Sequence, residues 1–463
     1  VVTGVKTIEL TISKWSKANA TAKIVEFFTA YAEVYYDDDI VSINLLEETE
    51  PHVGTIPIGN ISANEISIRL NNINNKFDPG NTNSPLYGML KKNRRIRAWL
   101  GVDLTGEILN DENEITWYPL GTFWSQDWKV PEDDIFVETT GLDRLEFLRK
   151  TQFDRSEVYT NYSLYDLFEL ILQDAGVNTD YYIIDDAFDD DVIPYAWFTP
   201  KSHRTALQQI AAAGLGRVYC NRDGKIVCAK YTTPATPQFT FTRDNIFTKD
   251  HPVAWSEISN KISVVVAPRV PATLQNIVED TEEFTVPKNS TVEKFFMYSE
   301  KPCIDIATPS ITGGADISIY STTAYSWGIT VVFKNNNTLT DQTVTSVTIQ
   351  GKPLIKSGEK VVTRSDSVSM SIVREQADEQ IENDLIQTTA HATSIAETLL
   401  AIYKDPRQDI NIDCRGHVDL KIGDRFTAPD FKDQSFNDYY LKRQELEYDG
   451  GLRADIEGLK IAE

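Results

Sequence analysis

The chain has 463 residues, too many for one ordinary domain, and three or four are expected. Hydrophobic residues make up 41% and charged residues 25%, a balance that excludes a disordered chain. The formal net charge of −24 repels phosphate and argues against a nucleic-acid reader. It keeps the surface soluble, and an acidic wall would also let DNA pass without sticking.

No apolar run approaches the ~20 residues that cross a bilayer, and no signal peptide is visible. The first residue is Val1 rather than Met, so an upstream piece is expected. The four cysteines are Cys220, Cys228, Cys303 and Cys414. Only the first two are near each other, across a turn at Asn221-Arg222-Asp223-Gly224. In a two- or four-residue hairpin they fall on opposite faces of the ribbon and do not bridge. Reduced, mostly buried thiols without metal spacing fit a protein made in a cytoplasm.

From the start of the chain, alternation predicts strands at Thr7 to Ile12, Glu65 to Leu70, Arg95 to Val102 and Ile135 to Thr139. Four of the eight tryptophans, Trp99, Trp117, Trp124 and Trp128, fall in this region. Aromatics on a half-buried pleated face account for that spacing. A sugar-binding platform is the alternative. Between the second and third strands lies a dense set of turn residues. Asn72 is followed by Phe77-Asp78-Pro79, then Ser84-Pro85-Leu86-Tyr87-Gly88, then Arg94-Arg95-Ile96-Arg97. Lys91, Lys92, Arg94, Arg95 and Arg97 form the main basic run of an acidic chain. The two lysines read as guards of a sheet edge. Arg95 and Arg97 share the strand face opposite Ile96, Ala98 and Leu100 and read as a subunit interface.

That order of strand, N-x-x-x-x-F-D-P turn, S-P-x-Y-G loop and basic R-R-I-R strand resembles the N-terminal barrel of phage tail hub proteins. These minor tail or baseplate hub proteins also occur in tailocins and contractile injection systems. The resemblance implies a mainly β protein with an α+β insertion: two related β-barrel domains joined by a small helix-hairpin domain. The implied boundaries are 1–150 for the first barrel, 151–235 for the helix-hairpin domain and 236–463 for the second barrel.

The period then changes. Ser163-Leu164-Tyr165-Asp166 has the form of a capping box. Leu164, Leu167, Phe168, Ile171 and Leu172 form a helical stripe that Gly176 ends. A second helix starts near Ser202, buries Ala206, Leu207 and Ile210, and ends at Gly214, and a hairpin spans Arg217 to Lys230. Six aspartates lie between Asp180 and Asp191. Calcium could use such oxygens, but the EF-hand pattern is absent and apolar residues interrupt the run, so a solvated acidic loop is expected. Thr232 to Pro237 reads as a linker.

β patterning returns from Phe239 to Gln350, with strands at Lys261 to Val266, Ile317 to Tyr320 and Gly328 to Phe333. A β-rich insertion spans about 270–350. One long helix, about 389–404, presents Ala392, Ile395, Ala396, Leu399, Leu400 and Tyr403 on one face, and Pro406 limits it. Leu420 to Phe426, with Gly423 and Asp424 at its turn, is similar to the strand, Gly-Asp, strand turn that hub proteins carry after such a helix. Ile135 to Leu142 and Leu452 to Leu459 each follow a hairpin turn (Pro131 to Asp134; Asp449 to Gly451) and end in Gly-Leu, a weak trace of duplication.

No constellation for chemistry emerges. The five histidines, His52, His203, His251, His391 and His417, show no zinc spacing. There is no nucleophile elbow and no phosphate loop. No catalytic, cofactor-binding or metal residues are therefore assigned. The resemblance implies a structural protein with no cofactor, a homotrimer at the virion tail tip. It would close the tail tube, with the tube or distal tail protein, the tape-measure protein and a spike or fibre protein as partners, without specific nucleic-acid binding. A polysaccharide-degrading β-rich enzyme and a carbohydrate-binding surface adhesin are the rival readings.

Overall fold

The computed structural model describes residues 34–49, 59, 61–103, 115–131, 135–230, 235–252, 258–377, 380–405, 409–431 and 435–461. The strand expected at Thr7 to Ile12, His52, Pro406, and parts of the turn at Pro131 to Asp134 and of the Thr232 to Pro237 linker lie outside them. The protein is mainly β.

Five strands come early: β1 (Ile40–Glu48), β2 (Glu65–Asn71), β3 (Arg95–Asp103), β4 (Ile115–Lys129) and β5 (Phe136–Leu142). Five come late: β6 (Ile246–Asp250), β7 (Ile410–Cys414), β8 (Arg425–Pro429), β9 (Phe436–Tyr448) and β10 (Leu452–Lys460). All ten belong to one sheet. Its path runs β6-β7-β10-β9-β1-β2-β5-β4-β3, with β8 on β9 and the short strand Phe239–Thr240 on β8.

The two sets have the same strand order. The early set pairs as β1-β2-β5-β4-β3, and the late set as β6-β7-β10-β9-β8. Their irregularities coincide as well. Register slips between Ile40 and Ser42 in β1, and between Ile246 and Thr248 in β6. It slips again after Ser125 in β4 and after Leu441 in β9. Bulges are fixed features of a sheet, so two at matching places align the sets residue by residue. Leu142 and Leu459, the Gly-Leu strand ends, occupy equivalent positions, opposite Trp124 and Tyr440.

Two separate barrels bridged by the helices were expected, but the sets join directly. β9 is longer than β8, and its second half pairs with β1 from Ile43↔Tyr448 to Glu48↔Arg443. Among the described residues neither set closes on itself. One apolar core serves both, with Ile43, Leu45, Ile66, Leu100 and Phe123 beside Ile412, Phe426, Tyr439, Leu446 and Ile456.

The central unit follows the sequence closely. Helix α1 (Leu145–Lys150) leads in. Helix α2 (Leu164–Asp174) starts at a full capping box: the Ser163 hydroxyl accepts from the Asp166 N–H, and the Asp166 carboxylate accepts from the Ser163 N–H. Helix α3 (His203–Gly214) is capped by Ser202. The hairpin of Gly216–Cys220 and Ile226–Lys230 completes the unit. Its loop has five residues, which corrects the expected face assignment. Val218 pairs with Cys228, so Cys220 and Cys228 share a face as diagonal neighbours, and both thiols are free and buried. The long helix (Thr389–Tyr403) packs its Ala392, Ile395, Ala396 and Leu399 face into this same core, together with the strand Lys261–Val266. Residues 269–356 form a β-rich insert around a core of their own, including Ile277, Phe296, Val331, Phe333 and Ile349.

Candidate assembly surfaces

The turn-rich motif folds as a compact loop on the end of the early set. The Asn72 side-chain carbonyl accepts from the Phe77 N–H at 2.9 Å, and the Asp78 carboxylate accepts from the Gly80 N–H at 2.8 Å. The Ser84 hydroxyl donates to the Lys76 carbonyl and accepts from the Leu86 N–H at 3.1 Å. These local bonds are the reason for Asn, Asp and Ser here, since such side chains satisfy backbone groups in turns. Pro79 and Pro85 each sit one residue past such a bonding side chain, where a missing N–H costs nothing and φ is already turn-like. Gly88 takes φ +72°, a region open to glycine. Phe77 and Leu86 anchor the loop against Leu70 and Val137. Ile73, Tyr87, Met89 and Ile135 remain exposed at the same end, an apolar surface on a rigid base.

β3 is an edge strand that pairs only with β4 among the described residues. Ala98 and Leu100 point into the core, while Arg95, Arg97 and Trp99 face outward. Trp117, on the paired strand, is 55% exposed beside Gly101. Arg95 corresponds to Arg425 in the late set, because each faces the residue paired with its Gly-Leu end. Arg425 is neutralised by Asp438 on β9. At the place of Asp438 the early set has Thr122. Arg95 and Arg97 therefore make no ion pair among the described residues, and their charge faces outward. Trp124 and Trp128 are half-buried, and Trp124 packs edge-on against Phe147 at 5.1 Å.

A buried cluster ties three parts of the chain together. The Arg222 guanidinium, at the tip of the central hairpin, forks onto Glu47 of β1: Nε donates to Oε1 at 2.9 Å and Nη2 to Oε2 at 2.6 Å. It also donates to the carbonyls of Val418 and of Leu420, the latter at 3.0 Å. Gln444 of β9 donates to Glu47 Oε2 at 2.6 Å and to the Leu420 carbonyl at 2.8 Å. Both ionic side chains are 3% exposed. Sequence reasoning missed this cluster. Its one local signal is Glu47 at a core-facing position of an alternating strand.

Asp143 sits at a second joint. Its carboxylate accepts from the Asn64 N–H at 2.8 Å and the Leu145 N–H at 2.9 Å, while Asn64 donates to the Cys220 carbonyl at 2.9 Å. Burial pushes its pKa up to about 7, against the pull of those N–H groups and Arg204. The Gly423-Asp424 turn meets the same hairpin. Gly423, at φ +94°, lies close to the hydroxyls of Tyr440 and Tyr219, and Asp424 accepts from the Lys421 N–H at 2.9 Å. Leu420 to Ile422 does not form the expected lead-in strand, and the Leu420 carbonyl serves Arg222 and Gln444 instead.

The aspartate run is largely engaged in structure. Asp185 caps a short turn, Asp189 accepts from Ser163, and Asp191 pairs with Lys230 at 2.7 Å. Among the described residues no group of three His, Cys, Asp or Glu side chains is placed to hold a metal ion. His203 is buried between Asp174 and Thr151, an internal tie between α2 and α3. Among the described residues no helix is long and apolar enough to cross a membrane.

Neither a protein-family model nor a curated protein sequence matches this chain. Solved structures do. A 43 kDa tail protein of prophage MuSo2 from Shewanella oneidensis aligns over 90% of this chain and 94% of its own, with a TM-score of 0.50 at 12% identity. The chain has the fold of a prophage tail protein. A tail protein from Neisseria meningitidis aligns over 91% and 92% of the two chains, with a TM-score of 0.46 at 10% identity. Prophage tail protein gp18 from Listeria monocytogenes aligns over 90% and 89%, with a TM-score of 0.42 at 8% identity.

Proposed function

We propose that this chain is a tail hub protein: a structural part that closes the distal end of a phage or phage-like tail tube and joins it to a spike or fibre module. The observation that carries this reading is the doubled strand set, with one order and matching bulges in both halves. Each set is read as one hub barrel. Three chains then present six similar units, which can mate with a six-fold tube on one face and a three-fold spike on the other. The tube or distal tail protein and the tape-measure protein would meet one side of the ring and the spike or fibre protein the other, at the virion tail tip.

The work of such a part is fit and symmetry adaptation, and no catalysis is assigned. The exposed apolar loop around Tyr87, and Arg95 and Arg97, which have no ion pair among the described residues, are read as surfaces for tail partners. Mass photometry of the chain co-expressed with its neighbouring tail proteins tests the reading. Complexes with three copies are expected, and assemblies of two or four copies would refute it.

A further inference from the structure

The chain contains one junction between an early set and a late set, and the matching strand orders say what a second such junction would look like. In the existing junction β1 lies along the second half of β9. The equivalent of β1 is β6, and the equivalent of β9 is β4. Among the described residues β6 pairs only with β7, and the second half of β4 pairs only with β5. These are two open edges, at opposite ends of the doubled unit, with the complementary roles of the two strands already joined. Among the described residues they do not pair with each other within this chain.

We propose that these edges are the contact between copies: Lys249 to Pro252 of one chain lies antiparallel along Lys129 to Pro131 of a second copy. This rests on the three-copy hub reading and names the surface through which the ring closes. The pairing follows by transfer through the bulge-aligned sets. Asn44 corresponds to Asp250, since both stand one residue past equivalent pairs in β1-β2 and β6-β7. Glu445 corresponds to Lys129, since they oppose Asp455 and Glu138 at equivalent places on β10 and β5. In the existing junction Asn44 donates across to Glu445 at 2.9 Å. In the second junction the same diagonal places Asp250 against Lys129. Both are exposed, and neither has an ion pair among the described residues.

The two prolines fit the same register. The Thr49 N–H donates to the Lys442 carbonyl, which sets the phase of the existing junction. Leu45 with Leu446 is then a hydrogen-bonded pair, whereas Leu46 with Glu445 and Asn44 with Glu447 are not. By transfer, His251 with Val130 would exchange hydrogen bonds. Pro252 would oppose Lys129, and Asp250 would oppose Pro131, both at places where no N–H faces the partner. Proline removes nothing from this junction, because at both places the backbone N position faces the inner neighbour and not the second copy.

Cysteine pairing tests the contact. Lys129 and Pro252 would face each other at a non-hydrogen-bonded pair, where side chains approach closest. The chain carrying both Lys129→Cys and Pro252→Cys should oxidise to covalent three-copy rings on a non-reducing gel. Mixing the two single variants should give linked pairs only, and each single variant alone should give none. As a second arm, Lys129→Glu should weaken assembly about tenfold, and adding Asp250→Lys should restore it, as expected when like charges replace a complementary pair. Three-copy assembly without cross-links and without sensitivity to charge would overturn this contact and leave the hub reading standing. Absence of any three-copy assembly would overturn the hub reading, and this contact with it.

Discussion

Arg222→Met tests whether the buried cluster at the centre of the molecule holds its three parts together. Arg222 makes two donations to Glu47 and two to backbone carbonyls, all at a site 3% exposed. Methionine fills much of the space but donates nothing. Glu47 would keep only the Gln444 amide as partner, and the Val418 carbonyl would lose its side-chain donor. Removing one partner of a buried ion pair costs about 3–5 kcal/mol, because the other charge stays buried. Glu47→Leu with Arg222→Met removes both charges and should recover most of the loss, since apolar replacements of buried pairs are often neutral. Chemical denaturation of the parent, both single variants and the double variant, followed by circular dichroism and tryptophan fluorescence, closes the cycle. The expected order of midpoints is parent near double, with both singles well below. A loss under about 1 kcal/mol for Arg222→Met, or a double variant worse than either single, would refute the reasoning.

Two further outcomes are expected. Asp143, ordinarily near pKa 3.8, is pushed up to about 7 in the folded chain, so between those values the unfolded chain binds fewer protons than the folded one. Stability should therefore fall as pH rises from about 4 to about 7 and level off above, and Asp143→Asn should flatten that slope in denaturant midpoints measured across the range. Arg95→Ala with Arg97→Ala should melt near the parent temperature, because exposed substitutions cost within about 0.5 kcal/mol each. The same variant should assemble poorly, since lost interface charge pairs cost about 2 kcal/mol or more. A large fall in melting temperature, or unchanged assembly by mass photometry, would count against an interface role.

Local chemistry was the legible part of this sequence. The Ser163 box, the Ser202 cap and the Asn72, Asp78 and Ser84 turns act within a few residues of themselves, so their spacing alone predicts them. β2, β3 and β5 alternate cleanly because one face is buried. β1 and β4 were missed for different physical reasons. β1 places Glu47 on its core face, which breaks the apolar period, and the residue that neutralises it lies far along the chain at Arg222. β4 carries two bulges that shift its parity, between Gly121 and Pro119 and again after Ser125. Apart from the family resemblance, the two-set sheet was foreshadowed in the residues only by the matching turns and Gly-Leu endings, since strand order resides in pairings and not in residues. Cys220 and Cys228 were placed on the wrong faces because the five-residue loop does not show in composition.

The pairing of β1 with β9 has a consequence for birth on the ribosome. β1 is made long before the stretch that covers its outer edge, Arg443 to Tyr448. Asn44 and Glu445, bonded across this pairing, are 401 residues apart, and that length must be synthesised while the edge stays bare. The entropy of closing so long a loop rises only about 0.6 kcal/mol per doubling of length, so distance itself is affordable. Exposure time is the hazard, because a bare edge is a template for a neighbouring nascent chain. In a cell making many copies from one message, the emergence of β9 is what commits each polypeptide to its own sheet.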